Sequence, residues 1–177
     1  MVHDARELHK ALFFACAQGH VDAMRLLVDK GADVNRADKN GWIPLYIACQ
    51  KGHAEAARLL LDRGAEVDLA VTNGRTPLYV ACGKGHVDAA QLLLDNGAEV
   101  DRADNKDGAT PLFIACQEGH VDAARLVLDN GADVDRANKN GTTPLCVACS
   151  NGHVDAALLL LEAGAEINRA TKSGSTP

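Results

Sequence analysis

The residues of this 177-residue chain that could do redox or metal chemistry are its cysteines and histidines. Two of the six cysteines, Cys146 and Cys149, form a C-x-x-C pair in the first turn of an expected helix, where a thiolate would be stabilised. The chain has no second C-x-x-C and no histidine at zinc-ligand spacing from this pair. A thiol redox or metal-binding protein therefore stays an alternative, and we favour a packing role for Cys146.

Five cysteines recur at one place in a repeated pattern: Cys16, Cys49, Cys82, Cys116 and Cys149. Equivalent residues of packed helices are about 8–10 Å apart, whereas a disulfide needs Cα atoms within about 7 Å. We therefore predict unpaired thiols that pack as small apolar side chains, buried at the first four of these positions. Unpaired thiols indicate a reducing, intracellular compartment, and we expect the cytoplasm.

Five histidines that each follow a glycine mark the same repeat: His20, His53, His86, His120 and His153, at intervals of 33, 33, 34 and 33 residues. Ligands of one metal must converge on it. A row of residues at this interval diverges, so we interpret these histidines as structural. No Ser-His-Asp set or Gly-rich phosphate loop stands out. The sequence therefore predicts no enzyme activity, no metal and no cofactor.

The sequence of each repeat predicts two short helices and a turn, and these elements must position the cysteines and histidines. The first helix should start at the Pro of Thr-Pro-Leu, with the Thr as its cap, and end at the Gly of Gly-His. The second has an acidic residue in its first turn and a Gly suited to a left-handed cap at its end. Asn-Gly or Asp-Gly then predicts a tight turn. We expect five helix pairs, which begin near Glu7, Pro44, Pro77, Pro111 and Pro144.

The repeated pattern "NGxTPLxxAxxxGHxxAxxLLLxxGAxVxxA" resembles the ankyrin repeat over essentially the whole chain. The resemblance implies an all-α solenoid of stacked antiparallel helix pairs with projecting β-hairpin-like loops, or fingers. It also implies a concave groove, formed by the fingers and the first helices, that binds other proteins and carries no chemistry. We expect one domain with units at about 4–37, 38–70, 71–103, 104–137 and 138–170, and a partial unit at 171–177.

The chain departs from the family after Thr-Pro-Leu and at its ends. The family's usual His is replaced by residues that would stabilise mainly by packing: Phe13, Tyr46, Tyr79, Phe113 and Cys146. The first unit has Lys10-Ala11 in place of Thr-Pro, and its polar residues predict an N-terminal cap. Leu158 stands where other units have Arg or Gln, which predicts an open C-terminal face. We expect a natural fragment of a longer array, and an engineered array with a loose end is the alternative.

The charge of the chain restricts the classes of partner that we expect it to bind. A formal charge of −6 argues against nucleic acid or an anionic membrane. Four arginines recur just before the turn, Arg36, Arg102, Arg136 and Arg169, beside Asn35, Asp68, Asp101, Asp135 and Asn168. We expect salt bridges between fingers, worth at most about 1 kcal/mol each. A positive strip for an acidic ligand is the alternative.

Variation between units is concentrated in the turns, in the residue after the turn Gly and in the pair before Gly-His. In the family's geometry these positions face the groove, so we predict that they bind a protein or peptide partner. A structural spacer with no ligand of its own is the alternative, and we expect a monomer. The predicted binding residues are Lys39, Asn40, Trp42, Gln50, Lys51, Thr72, Asn73, Arg75, Lys84, Lys106, Asp107, Gln117, Glu118, Lys139, Thr142, Ser150 and Asn151.

Trp42 is the single tryptophan and follows a tight turn. If its ring is solvent-exposed, it is a candidate anchor for the partner, because tryptophan is common among binding hot spots. The alternative is that the ring folds back and covers Arg75 or the region of Tyr46.

Overall fold

The computed structural model describes residues 2–169 and Lys172, and this part of the chain contains ten α-helices and no β-strand. The predicted partial unit at 171–177 therefore lies outside the described residues except for Lys172. The helices are α1 (Val2–Gln18), α2 (Val21–Asp29), α3 (Pro44–Gln50), α4 (Ala54–Asp62), α5 (Pro77–Gly83), α6 (Val87–Asp95), α7 (Pro111–Glu118), α8 (Val121–Asp129), α9 (Pro144–Ser150) and α10 (Val154–Glu162).

The helices stack in two layers. Each odd-numbered helix contacts the next odd-numbered helix, and each even-numbered helix contacts the next even-numbered one. Each odd-numbered helix also packs against the helix that follows it in the chain, which makes five helix pairs. Buried Leu, Ala and Cys side chains of both layers form one continuous core. The predicted all-α solenoid is therefore confirmed.

Four first helices begin at a proline, three of them after a capping Thr and α3 after Ile43, and α1 does not. Helices α3, α5, α7 and α9 begin at the predicted prolines. The first helix begins at Val2, so its predicted start near Glu7 is wrong; with Lys10-Ala11 in place of Thr-Pro, no proline stops the helix from extending toward the N-terminus. The Thr Oγ1 atoms accept the cap hydrogen bonds from backbone N–H groups: Thr76 from Tyr79, Thr110 from Phe113 and Thr143 from Cys146, at 3.1, 3.2 and 3.2 Å.

The Gly-His pair joins each unit to the next. Gly119 has a φ of +75°, and a Cβ placed on it would lie 2.6 Å from Nδ1 of His153 in the following unit. The Nε2 atom of His153 is 3.0 Å from the carbonyl oxygen of Gln117. The glycine is therefore needed for both its backbone angle and the close approach of the next histidine. This contact confirms the structural role predicted for the histidines.

The acidic and amide side chains before the turns also join neighbouring units, through the backbone. Each accepts a hydrogen bond from a backbone N–H of the next unit, which satisfies a donor that would otherwise need water. The four bonds run from Glu66 to Asn35, from Glu99 to Asp68, from Asp133 to Asp101 and from Glu166 to Asp135, at 2.9, 3.0, 3.1 and 3.1 Å.

The salt bridges predicted between fingers from the repeated arginines are wrong for the described residues. Arg102 pairs with Glu99 of its own unit, at 3.8 Å. Arg36, Arg136 and Arg169 form no ion pair with any described residue. The carboxylates of this row bond to backbone N–H groups instead, and an exposed pair in water would add little stability.

The cysteine prediction is confirmed at all four predicted positions, and all six cysteines are free. Cys16, Cys49, Cys82 and Cys116 have no solvent-exposed surface. Burial raises the pKa of the Cys82 thiol to about 12, so this group stays protonated at neutral pH. Cys149 is exposed, because none of the described residues forms a further unit that would cover it.

Both end faces expose apolar side chains. The open C-terminal face is seen at Val154 and Leu161, which are 67% and 41% exposed, whereas Leu158 lies on the outer stripe that is exposed in every unit. The predicted polar cap is wrong for the N-terminal face, where Phe14 is 67% and Leu26 59% exposed. Leu59, at the place equivalent to Leu26, is only 6% exposed because a preceding unit covers it. The polar residues of the first unit lie instead on the N-terminal extension of α1.

Candidate functional site

The finger turns are closed by short hydrogen bonds. In the first finger the Asp38 N–H donates to the carbonyl of Trp42, at 2.8 Å. Its Oδ1 atom accepts from the N–H groups of Asn40 and Trp42, at 2.8 and 2.9 Å. Asn138 makes the same two side-chain bonds in the last described finger. These turns are fixed before any partner arrives.

Neighbouring fingers are also bonded to one another. The Asn105 N–H donates to the carbonyl of Asn73, and the Lys139 N–H donates to that of Asp107, both at 2.9 Å. The ammonium group of Lys139 donates to the carbonyl of Lys106, at 3.2 Å. The finger tips at Asn73, Asn105 and Lys139 are therefore bonded in one polar row, which we call the finger edge.

A row of aromatic side chains lies behind this edge, on the first helices. Tyr46, Tyr79 and Phe113 are buried. The Trp42 ring is half-buried and packs on Tyr46, with ring centroids 5.1 Å apart and planes at 43°. The fully exposed tryptophan considered from the sequence is therefore wrong for the free chain, and the fold-back alternative is the observed arrangement. A cavity of about 170 Å³ beside Trp42 leaves part of its ring accessible.

Arg75 links two units beneath the groove. Its guanidinium carbon lies 5.1 Å from the centre of the Tyr79 ring, and its Nε is 3.5 Å from Oδ2 of Asp104. The Asp104 side chain is fully buried, and its Oδ1 accepts from the N–H groups of Asp107 and Ala109, at 3.0 and 3.1 Å. Arg75 therefore has a structural role, since its charge faces a buried carboxylate.

Burial also sets the ionisation of the two tyrosines. It raises the pKa of Tyr79 to about 12 and raises that of Tyr46, while the neighbouring Arg75 opposes both shifts. Both phenols therefore stay neutral near physiological pH and can act only through hydrogen bonds and packing.

The first residue of the pair before Gly-His faces the next unit, and its variation follows packing. A Cβ on Gly83 would lie 2.9 Å from Cγ1 of Ile114. This residue is small when the next unit has Ile at the position of Ile114: Ala17 precedes Ile47, and Gly83 precedes Ile114. It is Gln when the next unit has Val at that position: Gln50 precedes Val80, and Gln117 precedes Val147. The alternation offers packing against the next unit as an explanation for the variation at Gln50 and Gln117.

None of the seventeen predicted binding residues is buried. The exposed ones are Lys39, Asn40, Lys51, Thr72, Lys84, Lys106, Asp107, Glu118, Lys139, Ser150 and Asn151. The half-buried ones are Trp42, Gln50, Asn73, Arg75, Gln117 and Thr142. The exposed set contains five lysines and two acidic residues. The exposed part of the predicted binding set is therefore net positive, in a chain whose formal charge is −6.

A cavity of about 840 Å³ at the first finger was not predicted; we call it the N-terminal cavity. It is lined by Arg6, His9, Lys10 and Phe13 of α1 and by Arg36, Ala37, Asp38 and Lys39 of the finger. The missed signal is the spacing of the four α1 residues, at i, i+3, i+4 and i+7. This spacing places them on one face of a helix, but the helix was not expected to begin before Glu7.

His9 is the buried polar residue of the N-terminal cavity. It is 7% exposed and packs edge-on against Phe13, with ring centroids 4.9 Å apart. Neither of its ring nitrogens makes a hydrogen bond to any residue that the structure describes. Burial lowers the pKa of His9, and the nearby Arg36 lowers it further. His9 is therefore mainly neutral at pH 7.

The thiols and histidines show no metal-binding arrangement in the described part of the chain. Across residues 2–169 and Lys172, no three His, Cys, Asp or Glu side chains are grouped so that they could hold a metal ion. Over the same residues, no helix is both long enough and apolar enough to cross a membrane.

Comparison with known proteins identifies the repeats. The family model for ankyrin repeats (3 copies) matches residues 2–71, 64–138 and 102–171, which together span most of the chain. No curated protein matches the sequence.

Proposed function

Because the chain belongs to the ankyrin-repeat family, we propose that it is a non-enzymatic module that binds a protein partner in its concave groove. The observation that supports this most is the finger edge. Its backbone is fixed by hydrogen bonds within and between fingers, while its exposed side chains differ from unit to unit. A surface ordered in advance loses little conformational entropy on binding.

The charge distribution favours this edge over the opposite surface. The five exposed lysines lie on the fingers and at the ends of the first helices. Each second helix carries an acidic residue in its first turn, on the other layer of the solenoid. A partner would therefore be attracted to one face and kept from the other.

The remaining expectations belong to the same proposal. The module acts as a monomer inside the cell, where buried unpaired thiols such as Cys82 remain reduced. Neither nucleic acid nor membrane is its main partner, because the formal charge of the chain is −6.

The test is a capture experiment with the intact chain and two charge-matched triple variants. The groove variant carries Lys51→Ser, Lys84→Ser and Lys106→Ser. The control variant carries Arg25→Ser, Arg58→Ser and Arg125→Ser, which removes the same charge from exposed positions of the second helices. Proteins captured from lysate are identified by mass spectrometry, and the purified partner is then titrated against all three chains.

We expect the groove variant to bind at least about tenfold more weakly, a loss of about 1.4 kcal/mol, and the control to bind as the intact chain does. Equal binding by all three chains would place the partner elsewhere. If the intact chain captures no protein, or only proteins that the control variant also fails to bind, the structural spacer becomes the better explanation.

A further inference from the structure

The N-terminal cavity lies between the first half of α1 and the first finger, at one end of the finger edge. Four basic side chains line it: Arg6, Lys10, Arg36 and Lys39. Its single acidic lining residue, Asp38, has one carboxylate oxygen committed to the N–H groups of the finger turn. The cavity is therefore positively charged in a chain that is acidic as a whole.

One ion pair reduces the excess of positive charge in the cavity but does not remove it. Lys10 pairs with Glu7 at 2.7 Å, and both side chains are well exposed. Arg6, Arg36 and Lys39 form no ion pair with any of the side chains that the structure describes from Arg6 onward. Guanidinium groups hold carboxylates in a planar, two-point geometry, so these side chains suit an acidic group better than a neutral one.

His9 is the independent sign of a ligand. It is more than nine-tenths buried and lines the cavity, and neither ring nitrogen makes a hydrogen bond of normal geometry to a described residue, although the Ala37 backbone lies close enough to oppose the lowering of the ring's pKa by burial. A buried polar group normally has a hydrogen-bond partner, because burial without one costs stability. The neutral ring has one N–H donor, which an oxygen in the cavity would satisfy.

The cavity also has an apolar wall. Phe13 is held edge-on by His9 and lies opposite Ala37. At about 840 Å³ the cavity is larger than one carboxylate needs and is of the size that holds a small ligand or a few side chains. An occupant with an acidic group next to an apolar group would use both parts of the lining.

We propose that the N-terminal cavity binds a short acidic peptide segment of the protein partner. A carboxylate of the segment contacts Arg36 and Lys39, an adjacent aliphatic side chain packs on Phe13, and a segment oxygen accepts the N–H of His9. The segment then continues along the finger edge. This inference rests on the proposed function, since it names the chemistry of the partner in the same groove.

The experiment is a titration of the ¹⁵N-labelled intact chain with the peptide Gly-Ser-Asp-Leu-Glu-Leu-Gly, followed by NMR chemical shifts up to about 5 mM, the range of weak binding. The control peptide has Asn and Gln in place of Asp and Glu. Inorganic phosphate alone is a third probe, and it reports whether any anion is sufficient. We expect the acidic peptide to shift the amides of residues 6–13 and 36–39, and its affinity to exceed that of either control at least tenfold.

The matched variants are Arg36→Gln and Arg136→Gln, because Arg136 occupies the equivalent place in another unit and does not line the N-terminal cavity. Both are exposed, so both variants should fold. We expect Arg36→Gln to weaken the acidic peptide at least tenfold and Arg136→Gln to change it less than twofold. His9→Phe, which keeps an apolar ring in place, should weaken it several-fold.

Each of these results would overturn the inference: equal binding of the amide peptide, phosphate binding as tight as the peptide, or shifts that avoid the cavity. An absence of shifts at the highest concentration would also overturn it. In any of these cases the groove variant can still bind the captured partner more weakly than the intact chain does. The proposed function then stands, and the N-terminal cavity has no part in it. If capture does not depend on the groove, the proposed function itself fails.

Discussion

The contact between Gly83 and Ile114 gives a sharp test of how the units fit together. Gln stands at the place of Gly83 in two other units, so Gly83→Gln introduces a residue that this repeat accepts elsewhere. Its Cβ would lie 2.9 Å from Cγ1 of Ile114, closer than real Cβ contacts. The isoleucine is β-branched and stiff, so it cannot move aside cheaply.

Two opposing effects determine how much Gly83→Gln changes the free energy of unfolding. Overpacking a closely packed contact costs roughly 1–3 kcal/mol. Replacing glycine recovers up to about 1 kcal/mol of helix propensity, and less here because Gly83 is the last residue of α5. We therefore expect Gly83→Gln to lower the free energy of unfolding by about 1 kcal/mol.

The pair of substitutions is more decisive than either alone. Ile114→Val removes a methyl group and should cost about 0.5–1.5 kcal/mol in the native chain. In the Gly83→Gln background it should cost less, because valine keeps both γ carbons but lacks Cδ1 and can turn them away from the new Cβ, as in the Gln-before-Val combination of other units. The coupling between the two substitutions should therefore be about 1 kcal/mol.

Urea unfolding measured by circular dichroism gives all four free energies, provided that the m-values agree. Ser150→Gln is the control, because this equivalent place is exposed, with no described unit packed against it, and stability there should not fall. Additive effects of Gly83→Gln and Ile114→Val would refute the packing explanation and return this position to the list of binding candidates.

Three further predictions concern thiols, pH and the inter-unit hydrogen bonds. A thiol reagent should label exposed Cys149 rapidly and buried Cys82 only on unfolding, as peptide mapping by mass spectrometry would show; rapid labelling of Cys82 in the native chain would contradict the core. Burial lowers the pKa of His9 below its unfolded value of about 6.5, so protonation favours the unfolded chain and stability should fall as the pH drops below 6.5. His9→Phe should reduce this loss in urea titrations at pH 7.5 and 5.5, and an unchanged loss would exclude His9 as its source. Asp101→Ala should cost about 1 kcal/mol and Arg102→Ala almost nothing in thermal unfolding; equal effects would contradict the backbone role of Asp101.

The parts of the fold that sequence reasoning predicted are those fixed by local chemistry or by strict repetition. Pro44 and its equivalents set helix starts through their own ring geometry. Cys82 and its equivalents repeat at one place, so one packing argument applied to four units.

The parts that it missed depend on a partner that the local sequence does not show. Asp101 accepts a hydrogen bond from a backbone N–H. Because every residue except proline has such a donor, the sequence does not single out this partner, and the neighbouring arginine was wrongly predicted instead. Trp42 was ambiguous because its orientation depends on Tyr46 one helical turn away. The N-terminal cavity needed both the extended α1 and the first finger, which lie about 30 residues apart in the chain.

The alternation of small and large residues between units has a consequence for how such an array can change in length. Removal of the unit at 71–103 would bring Gln50 against Ile114, two bulky residues at one junction. Removal of the unit at 38–70 would instead bring Ala17 against Val80 and leave unfilled space. Removal of both units together would restore a small residue before an isoleucine, Ala17 before Ile114. Recombination within this gene is therefore expected to tolerate the loss or gain of units in pairs better than one at a time.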